Sequence, residues 1–432
     1  TSFAQSAAQW SAQQQAAATK TDRIMAEIST RKGLLDQYLA MRDAYASDHS
    51  QAFRLLFGQY VSWYQSFLGA YPEAMDSFSI AQHAQSGDNP SPLTADAYVA
   101  RPAMDAIPDL AKNYRVVLFN EAHNIALTRS LTVRLLRRLH DEGFNYFAAE
   151  TLTQTDTALN SRGYPTEKSG FYTEEPIYAE MVRTALNLGY KVIAYEADAN
   201  IGGGDARESE QAENIYRQVF KVDPQAKLVL NAGYEHITKS GDYLGGASMA
   251  QHLYKLIKLP MLSIDQTMMY PHPFADDDHP YYTAVMKTLQ PHDAIIFVNA
   301  TGKPWSLRSN YDASVFFPPS PIVRGRPTWL TLGDLRRPSE VSAIDCRAHY
   351  PCLVEARYAK EGDDAIPADR MLLDLQPLGT NESDLALFSS NQSIPAGNLY
   401  LRPGNYRLKF IVKGDVIVHQ QDIVVPDAST HH

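Results

Sequence analysis

Carboxylates and histidines follow the apolar runs in the middle of the chain, where they could do acid-base chemistry. Glu121 and His123 come just after the run at 116–119, Glu150 follows a second run, and His236 follows a third. Two residues apart past a strand, Glu121 and His123 should face the same side. A carboxylate beside an imidazole orients it and raises its basicity. This pattern makes His123 a candidate general base, with Glu121 and Glu150 as its partners and His236 stabilising developing charge.

The same residue types are also metal ligands. His123, His236 and Glu121 could together hold a divalent metal ion, which would lower the pKa of a bound water. Each histidine could equally be a hydrogen-bonded loop residue with no chemical role. The sequence spacing leaves these alternatives open. Our first expectation is a site without a cofactor, and the alternative is a divalent metal.

The elements that must position these residues alternate between strand and helix from residue 111 to 335. Leucines recur at helical spacing from Leu127 to Leu139, between the apolar runs that precede Glu121 and Glu150. This alternation predicts a mainly parallel sheet flanked by helices, with ligands bound at its carboxyl edge. The polar residues expected at that edge are Glu121, His123, Glu150, Glu196, His236, Asp265 and Asn299.

The flanking regions have different patterns. Residues 1–110 contain long periodic segments followed by a proline-rich linker from 86 to 110, which predicts a helical N-terminal region. An aromatic stripe within 52–68 is typical of a packing face. Residues 336–432 consist of short alternating runs separated by turn residues, which predict a β-sandwich accessory domain. The expected fold class is therefore α/β, with a helical N-terminal region and a C-terminal β-sandwich.

Composition narrows the partners and the compartment. The net charge is −10, so a nucleic-acid partner is not expected. No apolar run is long enough for a transmembrane segment. The expected partner is a small or medium-sized substrate. The start at Thr1 fits a mature protein whose signal peptide has been removed. Two cysteines, Cys346 and Cys352, predict a local disulfide and export to the bacterial periplasm or the extracellular space.

Three separated stretches resemble the superfamily that groups erythromycin esterases, ChaN-type haem-binding lipoproteins and Tiki metalloproteases. NEAHN with its leucine-rich helix and the following AAE is similar to the strand and Glu/His block of this superfamily. RESEQAENI at 207–215 resembles its next helix, and LVLNAGYEHI at 228–237 resembles a strand that ends in histidine. The succession covers roughly residues 112–318.

The resemblance implies roles for particular residues. Glu121, His123, Glu150 and His236 match the site residues of the superfamily. Arg207 and Glu208 match its helix start. Thr132 falls where the esterases place an arginine, so Arg129 or Arg134 could substitute. Together with the strand ends, this gives an expected set of substrate-binding residues: Arg129, Glu196, Arg207, Glu208 and Asp265.

The implied activity is that of an esterase-like hydrolase. The superfamily also implies two alternatives, a haem- or metal-binding protein of the ChaN type and a metal-dependent peptidase of the Tiki type. Gly233 stands where the esterases carry a second histidine.

Overall fold

The structure is a computed structural model that describes residues 7–94, 97–374 and 396–427. Its helices are α1 (Ala7–Ile28), α2 (Leu34–Ser47), α3 (Gln51–Phe67), α4 (Tyr71–Ser77), α5 (Ala103–Ala111), α6 (Leu127–Asp141), α7 (Leu159–Arg162), α8 (Pro176–Leu188), α9 (Asp205–Ile215), α10 (Met249–Ile257) and α11 (Pro280–Leu289).

The strands follow the same chain order. They are β1 (Tyr98–Pro102), β2 (Val116–Glu121), β3 (Tyr146–Ala149), β4 (Lys191–Ala194), β5 (Leu228–Gly233), β6 (Met261–Met269), β7 (Ile295–Asn299), β8 (Ala313–Phe316), β9 (Ile322–Val323), β10 (Arg326–Pro327), β11 (Arg337–Ser342), β12 (Cys352–Tyr358), β13 (Asp369–Leu373), β14 (Ala396–Leu401), β15 (Gly404–Val412) and β16 (Val416–Val425).

The chain forms two compact units. The first, which we call the α/β unit, comprises Ile80–Pro321 and Asp363–Ile366. The second, which we call the helix-sheet unit, comprises Thr1–Ser79, Ile322–Gly362 and Pro367–His432. These units divide the chain near residues 79 and 321, and the expected domain boundaries lie near residues 110 and 335.

An eight-stranded, mainly parallel sheet with helices packed against it organises the α/β unit, as the alternation predicted. Its strand order is β1-β7-β8-β6-β2-β5-β3-β4. β2 lies at the centre between β5 and β6, and all six of its residues are buried. A strand buried on both faces needs the continuous apolar run that its sequence supplies. The carboxyl ends of β2, β3 and β5 therefore meet at one edge.

β7 is the exception to the parallel arrangement. It pairs antiparallel with both β1 and β8, so its carboxyl end lies at the opposite edge of the sheet. Asn299 consequently does not join the other predicted edge residues, which corrects that expectation. The expected linker also contains β1 and α5. A five-residue strand that ends in Pro102 gives too little periodic signal to be recognised.

A short segment from later in the chain completes the α/β unit. Ala365 forms an antiparallel bridge with Thr166. The Ile366 amide donates to the Pro165 carbonyl at 3.0 Å, and the Arg183 guanidinium donates to the Ile366 carbonyl at 2.8 Å.

The helix-sheet unit joins the predicted N-terminal helices to the C-terminal strands. A four-stranded antiparallel sheet has the order β13-β12-β15-β16, and β11 pairs with β14 in a second sheet. Helices α1 to α3 share an apolar core with Leu353 and Ile411, and the aromatic stripe of α3 is part of that core. The predicted disulfide joins Cys346 to Cys352.

None of the helices within the described ranges is both long enough and apolar enough to cross a membrane.

Candidate functional site

The candidate site lies at the carboxyl edge of the sheet, where β2, β3 and β5 end side by side. Glu121 is in register with Gly233, and the Glu150 amide donates to the Asn231 carbonyl at 3.0 Å. His123 and His236 follow within three residues of their strands. The structure thus brings Glu121, His123, Glu150 and His236 to one edge.

Glu121 and His123 are in direct contact. Glu121 Oε1 lies 3.2 Å from His123 Nδ1, and both residues are buried, with 1% and 9% of their surface exposed. The Thr128 hydroxyl accepts a hydrogen bond from the Ala122 amide at 2.9 Å and holds the turn between them. The spacing of two residues therefore does place the carboxylate against the imidazole.

Two tyrosines and a glycine fix the His123 ring. Tyr172 stacks on it with ring centroids 4.0 Å apart, and Tyr234 meets it edge-on at 5.3 Å. A Cβ atom at Gly233 would lie 2.4 Å from His123 Nε2 and 3.1 Å from Glu150 Oε2. Glycine is thus required at 233, because any side chain there would push the imidazole out of place.

A buried ion network holds Glu121. Arg129 donates to Glu121 through Nε, to Glu175 Oε2 at 2.7 Å and to the His123 carbonyl at 2.8 Å. Glu175 also caps α8 by accepting from the amides of Ile177 and Tyr178. Burial opposes the charge on Glu121, but the guanidinium and the imidazole outweigh it and lower the pKa of this carboxyl.

Arg129 was expected to bind substrate, but its side chain is fully buried. In this arrangement it positions Glu121 and His123 and does not face a ligand.

Glu150 occupies the centre of the site. Its Oε2 accepts from the Gly233 amide at 2.5 Å, and its Oε1 lies 3.2 Å from both His236 Nε2 and Arg207 Nη2. Burial works against ionisation, yet the positive charge of His236, with contributions from His123 and Arg207, holds the pKa of Glu150 well below its usual range.

His236 lies between two carboxylates. Besides Glu150 at Nε2, it has Glu208 Oε2 at 2.9 Å from Nδ1, and Glu208 also accepts from the Met249 amide at 2.7 Å. Although burial disfavours the charged ring, the two carboxylates raise the pKa of His236 to about 10. His236 is therefore a fixed cation at neutral pH. Glu208 has no exposed surface and supports His236 instead of contacting a substrate.

Arg207 is the cation of the site that reaches solvent. Its side chain is 29% exposed, and its Nε and Nη2 donate to the two oxygens of Glu196 at 3.0 and 2.9 Å. Gln211 donates to the same carboxylate at 2.9 Å. Arg207 and Glu196 were both expected to bind substrate, and both side chains are accessible to solvent.

Asp265 lies on the other face of the sheet from Glu121. It is buried, it accepts from the Asn120 amide nitrogen at 2.8 Å and from the Thr267 hydroxyl at 2.9 Å, and burial raises its pKa. Asn120 also donates to the Tyr234 carbonyl at 2.9 Å. Asp265 therefore stabilises the ends of β2 and β6 through its hydrogen bonds. It is too deeply buried for a ligand to contact it directly.

Sequence reasoning missed Tyr172, Glu175 and Tyr234. The first two lie in the long polar stretch after Glu150, which has no periodicity. Tyr234 precedes His236 and has a positive φ of 42°. Only the short interval between Gly233 and His236 could have indicated a tight turn there.

Most ring nitrogens of the two site histidines already contact carboxylates and are not available to a metal. Both ring nitrogens of His236 bond carboxylates, and Nδ1 of His123 bonds Glu121. Within the ranges that the structure describes, no three His, Cys, Asp or Glu side chains converge as metal ligands do. His236 would have to break a carboxylate contact to bind a metal ion, so His123 Nε2 is the one ring nitrogen of this pair without such a contact. A single nitrogen of this kind does not make a divalent metal site.

Comparison with known proteins adds little to this geometry. No protein-family model matches the chain, and no curated protein matches it. The type III effector HopBA1 is a structural neighbour with 13% identity and a TM-score of 0.33, over 53% of this chain and 99% of that one. RRSP, a MARTX toxin effector domain from Vibrio vulnificus CMCP6, has 12% identity and a TM-score of 0.27, over 53% of this chain and 51% of that one.

A third neighbour, described as bacterial protein toxins, has 14% identity and a TM-score of 0.27, over 53% of each chain. This chain thus spans about half the length of two of its three neighbours. At such TM-scores the likeness carries no argument about activity, and the resemblance to the esterase, ChaN and Tiki superfamily stays a prediction.

Proposed function

We propose that this protein is a hydrolase that cleaves an ester or related bond of a small or medium-sized substrate, with His123 as the general base. One observation carries the proposal: His123 contacts Glu121 through Nδ1, while its Nε2 lies 2.4 Å from the position that a Cβ atom would take at Gly233. A proton on Nδ1 donated to Glu121 leaves the lone pair on Nε2, which is the tautomer that a general base needs.

The surrounding residues support this role by holding the base still. Arg129 and Glu175 fix Glu121, and the rings of Tyr172 and Tyr234 fix the imidazole. Preorganised groups spend no free energy on reorganising during the reaction.

The chemistry follows from these positions. His123 Nε2 takes a proton from water, and the water oxygen forms a bond to the carbonyl carbon as the carbonyl π electrons move to its oxygen. The tetrahedral intermediate collapses, the bond to the leaving oxygen breaks, and that oxygen receives the proton from His123.

Two cations can stabilise the developing oxyanion. Arg207 Nη1 makes no hydrogen bond within the described part of the chain, and the side chain is partly exposed, so it can donate to a substrate oxygen. Both N–H groups of His236 are directed at Glu150 and Glu208, so it acts through its charge and not by donation.

The test is hydrolysis of p-nitrophenyl acetate and p-nitrophenyl butyrate. We expect His123→Gln to lower kcat by about 10²–10⁴-fold, the usual contribution of a general base. His49→Gln changes an exposed histidine of the helix-sheet unit and serves as the control, with no change expected. Equal rates for wild type and His123→Gln, with both proteins folded, would refute the proposal.

We also propose that the protein is exported and that the antiparallel sheets form an accessory module of the sandwich type. A disulfide between Cys346 and Cys352 supports an oxidising compartment. Strands of both sheets contribute to one apolar core, including Val341, Val354 and Leu399, which supports a packed pair of sheets.

A further inference from the structure

Asn231 is a buried amide without a partner. It lies in β5 with no exposed surface, and neither its Oδ1 nor its Nδ2 has a hydrogen-bond partner among the residues that the structure describes. Asn120, one strand away and equally buried, donates to Asp265 and accepts from the Gln266 amide at 2.5 Å. The Asn120 side chain in β2 thus has hydrogen-bond partners, whereas the Asn231 side chain in the neighbouring strand β5 has none among the described residues.

The position of Asn231 places it directly beneath the candidate site. Side chains alternate along a strand, so Asn231 and the Cα–H of Gly233 share one face of β5. In register, Asn231 lies between Phe119 of β2 and Ala149 of β3. The small residues Ala149 and Gly233 therefore border the Asn231 amide on the side of the site.

Asn231 lies two residues before Gly233, the residue whose backbone His123 Nε2 faces. Residues two apart on a strand are separated by roughly 6.6 Å. The Cβ position of Gly233 lies 2.4 Å from His123 Nε2 and 3.1 Å from Glu150 Oε2. The spacing between positions 231 and 233 is about two hydrogen-bond lengths, which is the distance that one bridging water spans.

An unpaired amide in a strand is unfavourable unless it has a function. Asparagine is depleted in strands, and burying its polar atoms without a partner costs free energy that leucine or valine would not cost. Unsatisfied buried groups are rare, and local inconsistencies of this kind concentrate at functional sites. The Asn231 side chain satisfies this expectation if its partner is a molecule that takes part in the reaction.

We propose that Asn231 binds the water that His123 activates. This inference rests on the proposed hydrolase function. The Asn231 Oδ1 accepts a hydrogen bond from one O–H of the water, and His123 Nε2 accepts the other and removes that proton. The oxygen lone pair is thereby directed at the substrate carbonyl, and Asn231 itself is unchanged by the reaction.

The experiment compares Asn231→Leu, which keeps the shape of the side chain and removes its hydrogen bonds, with wild type and His123→Gln. The probe is p-nitrophenyl acetate, and kcat, KM and the midpoint of thermal unfolding are measured. For Asn231→Leu we expect kcat to fall about 10–100-fold, as for the loss of one hydrogen bond in a transition state, with KM unchanged. The unfolding midpoint should stay the same or rise, because an unsatisfied amide is removed.

The outcomes separate the inference from the function on which it rests. If His123→Gln is inactive and Asn231→Leu retains the wild-type kcat, the water-binding role is overturned while the hydrolase stands. If Asn231→Leu loses activity and stability together, and Asn231→Ala does the same, the amide is structural and the inference is again wrong. If hydrolysis is absent or survives His123→Gln, the proposed function fails, and the role of Asn231 fails with it.

Discussion

The two histidines at the carboxyl edge of the sheet have opposite environments. His236 has a carboxylate at each ring nitrogen, Glu150 on one side and Glu208 on the other. His123 contacts one carboxylate, Glu121, and its second nitrogen faces the glycine backbone of β5. The number of carboxylates around the ring decides what each imidazole can do. His236 is a cation at neutral pH, whereas His123 retains a nitrogen for proton transfer.

In both environments, the carboxylate that contacts the histidine is itself paired with an arginine. Glu121 is held by Arg129, and Glu150 is held by Arg207 together with His236. Two networks of paired acidic and basic side chains therefore lie next to Gly233. Positioned carboxylates of this kind can set the protonation states of neighbouring groups.

The largest expected effect tests His236 as a structural cation. We expect His236→Gln to lower the free energy of unfolding by about 3–5 kcal/mol, because it leaves Glu150 and Glu208 buried without the charge between them. Chemical denaturation at pH 7 measures this, and His123→Gln is the matched control, with a smaller loss expected. If the two variants lose the same free energy of unfolding, His236 is no more important for stability than His123, and the proposed difference between the histidines is wrong.

The pH dependence of stability sharpens the same comparison. The pKa of His236 is raised from 6.5 to about 10 in the folded protein. Its contribution to stability is therefore fully present below pH 6.5 and is lost as the pH rises through about 10. Denaturation at a series of pH values should show this decline in wild type and not in His236→Gln. A parallel decline in both proteins would assign the effect to other groups.

Gly233→Ala is expected to disturb His123 more than His236. The added Cβ would lie 2.2 Å from His123 Cε1, so the ring must move. A displacement of about 1 Å costs roughly 100-fold in kcat. Gly203→Ala, where no atom lies within 4 Å of the new Cβ, is the control. An unchanged kcat for p-nitrophenyl acetate in Gly233→Ala would show that the placement of His123 is not needed.

The smallest expected effect is that of a chelator. Since the proposed mechanism uses His123 as the base and has no step that needs a metal ion, we expect EDTA to leave ester hydrolysis unchanged. Elemental analysis and an absorption spectrum of wild type and His123→Ala, both purified without added ions, give an independent measurement. Stoichiometric metal or haem that is lost in His123→Ala would redirect the function to a metal- or haem-binding protein.

Much of the site could be predicted because strand ends are visible in a sequence. A continuous apolar run followed by Glu121 or Glu150 marks a buried strand and its carboxyl end at once. Parallel strands bring such ends together whatever their separation along the chain. The same logic failed for Asn299, because nothing in the sequence of β7 shows that it runs in the opposite direction.

The remaining parts depend on contacts that have no periodic signal. Asp265 follows the same kind of run as Glu121, but the register of β6 with β2 places it on the other face. Glu175 and Tyr172 come from an irregular stretch, and only the folded chain shows that they reach Arg129 and His123. The charge on His236 likewise needed Glu208, which is on a different element.

The segment at 363–366 constrains how the protein is made. It bonds to Pro165 and Arg183 although the rest of the α/β unit ends at Pro321. During translation the sheet and its helices leave the ribosome first. The Arg183 guanidinium cannot form its hydrogen bond to the Ile366 carbonyl until residue 366 has been synthesised. A nascent chain that stalls after Pro321 would therefore contain every strand of the eight-stranded sheet but would lack the hydrogen bonds that Ile366 makes to Pro165 and Arg183.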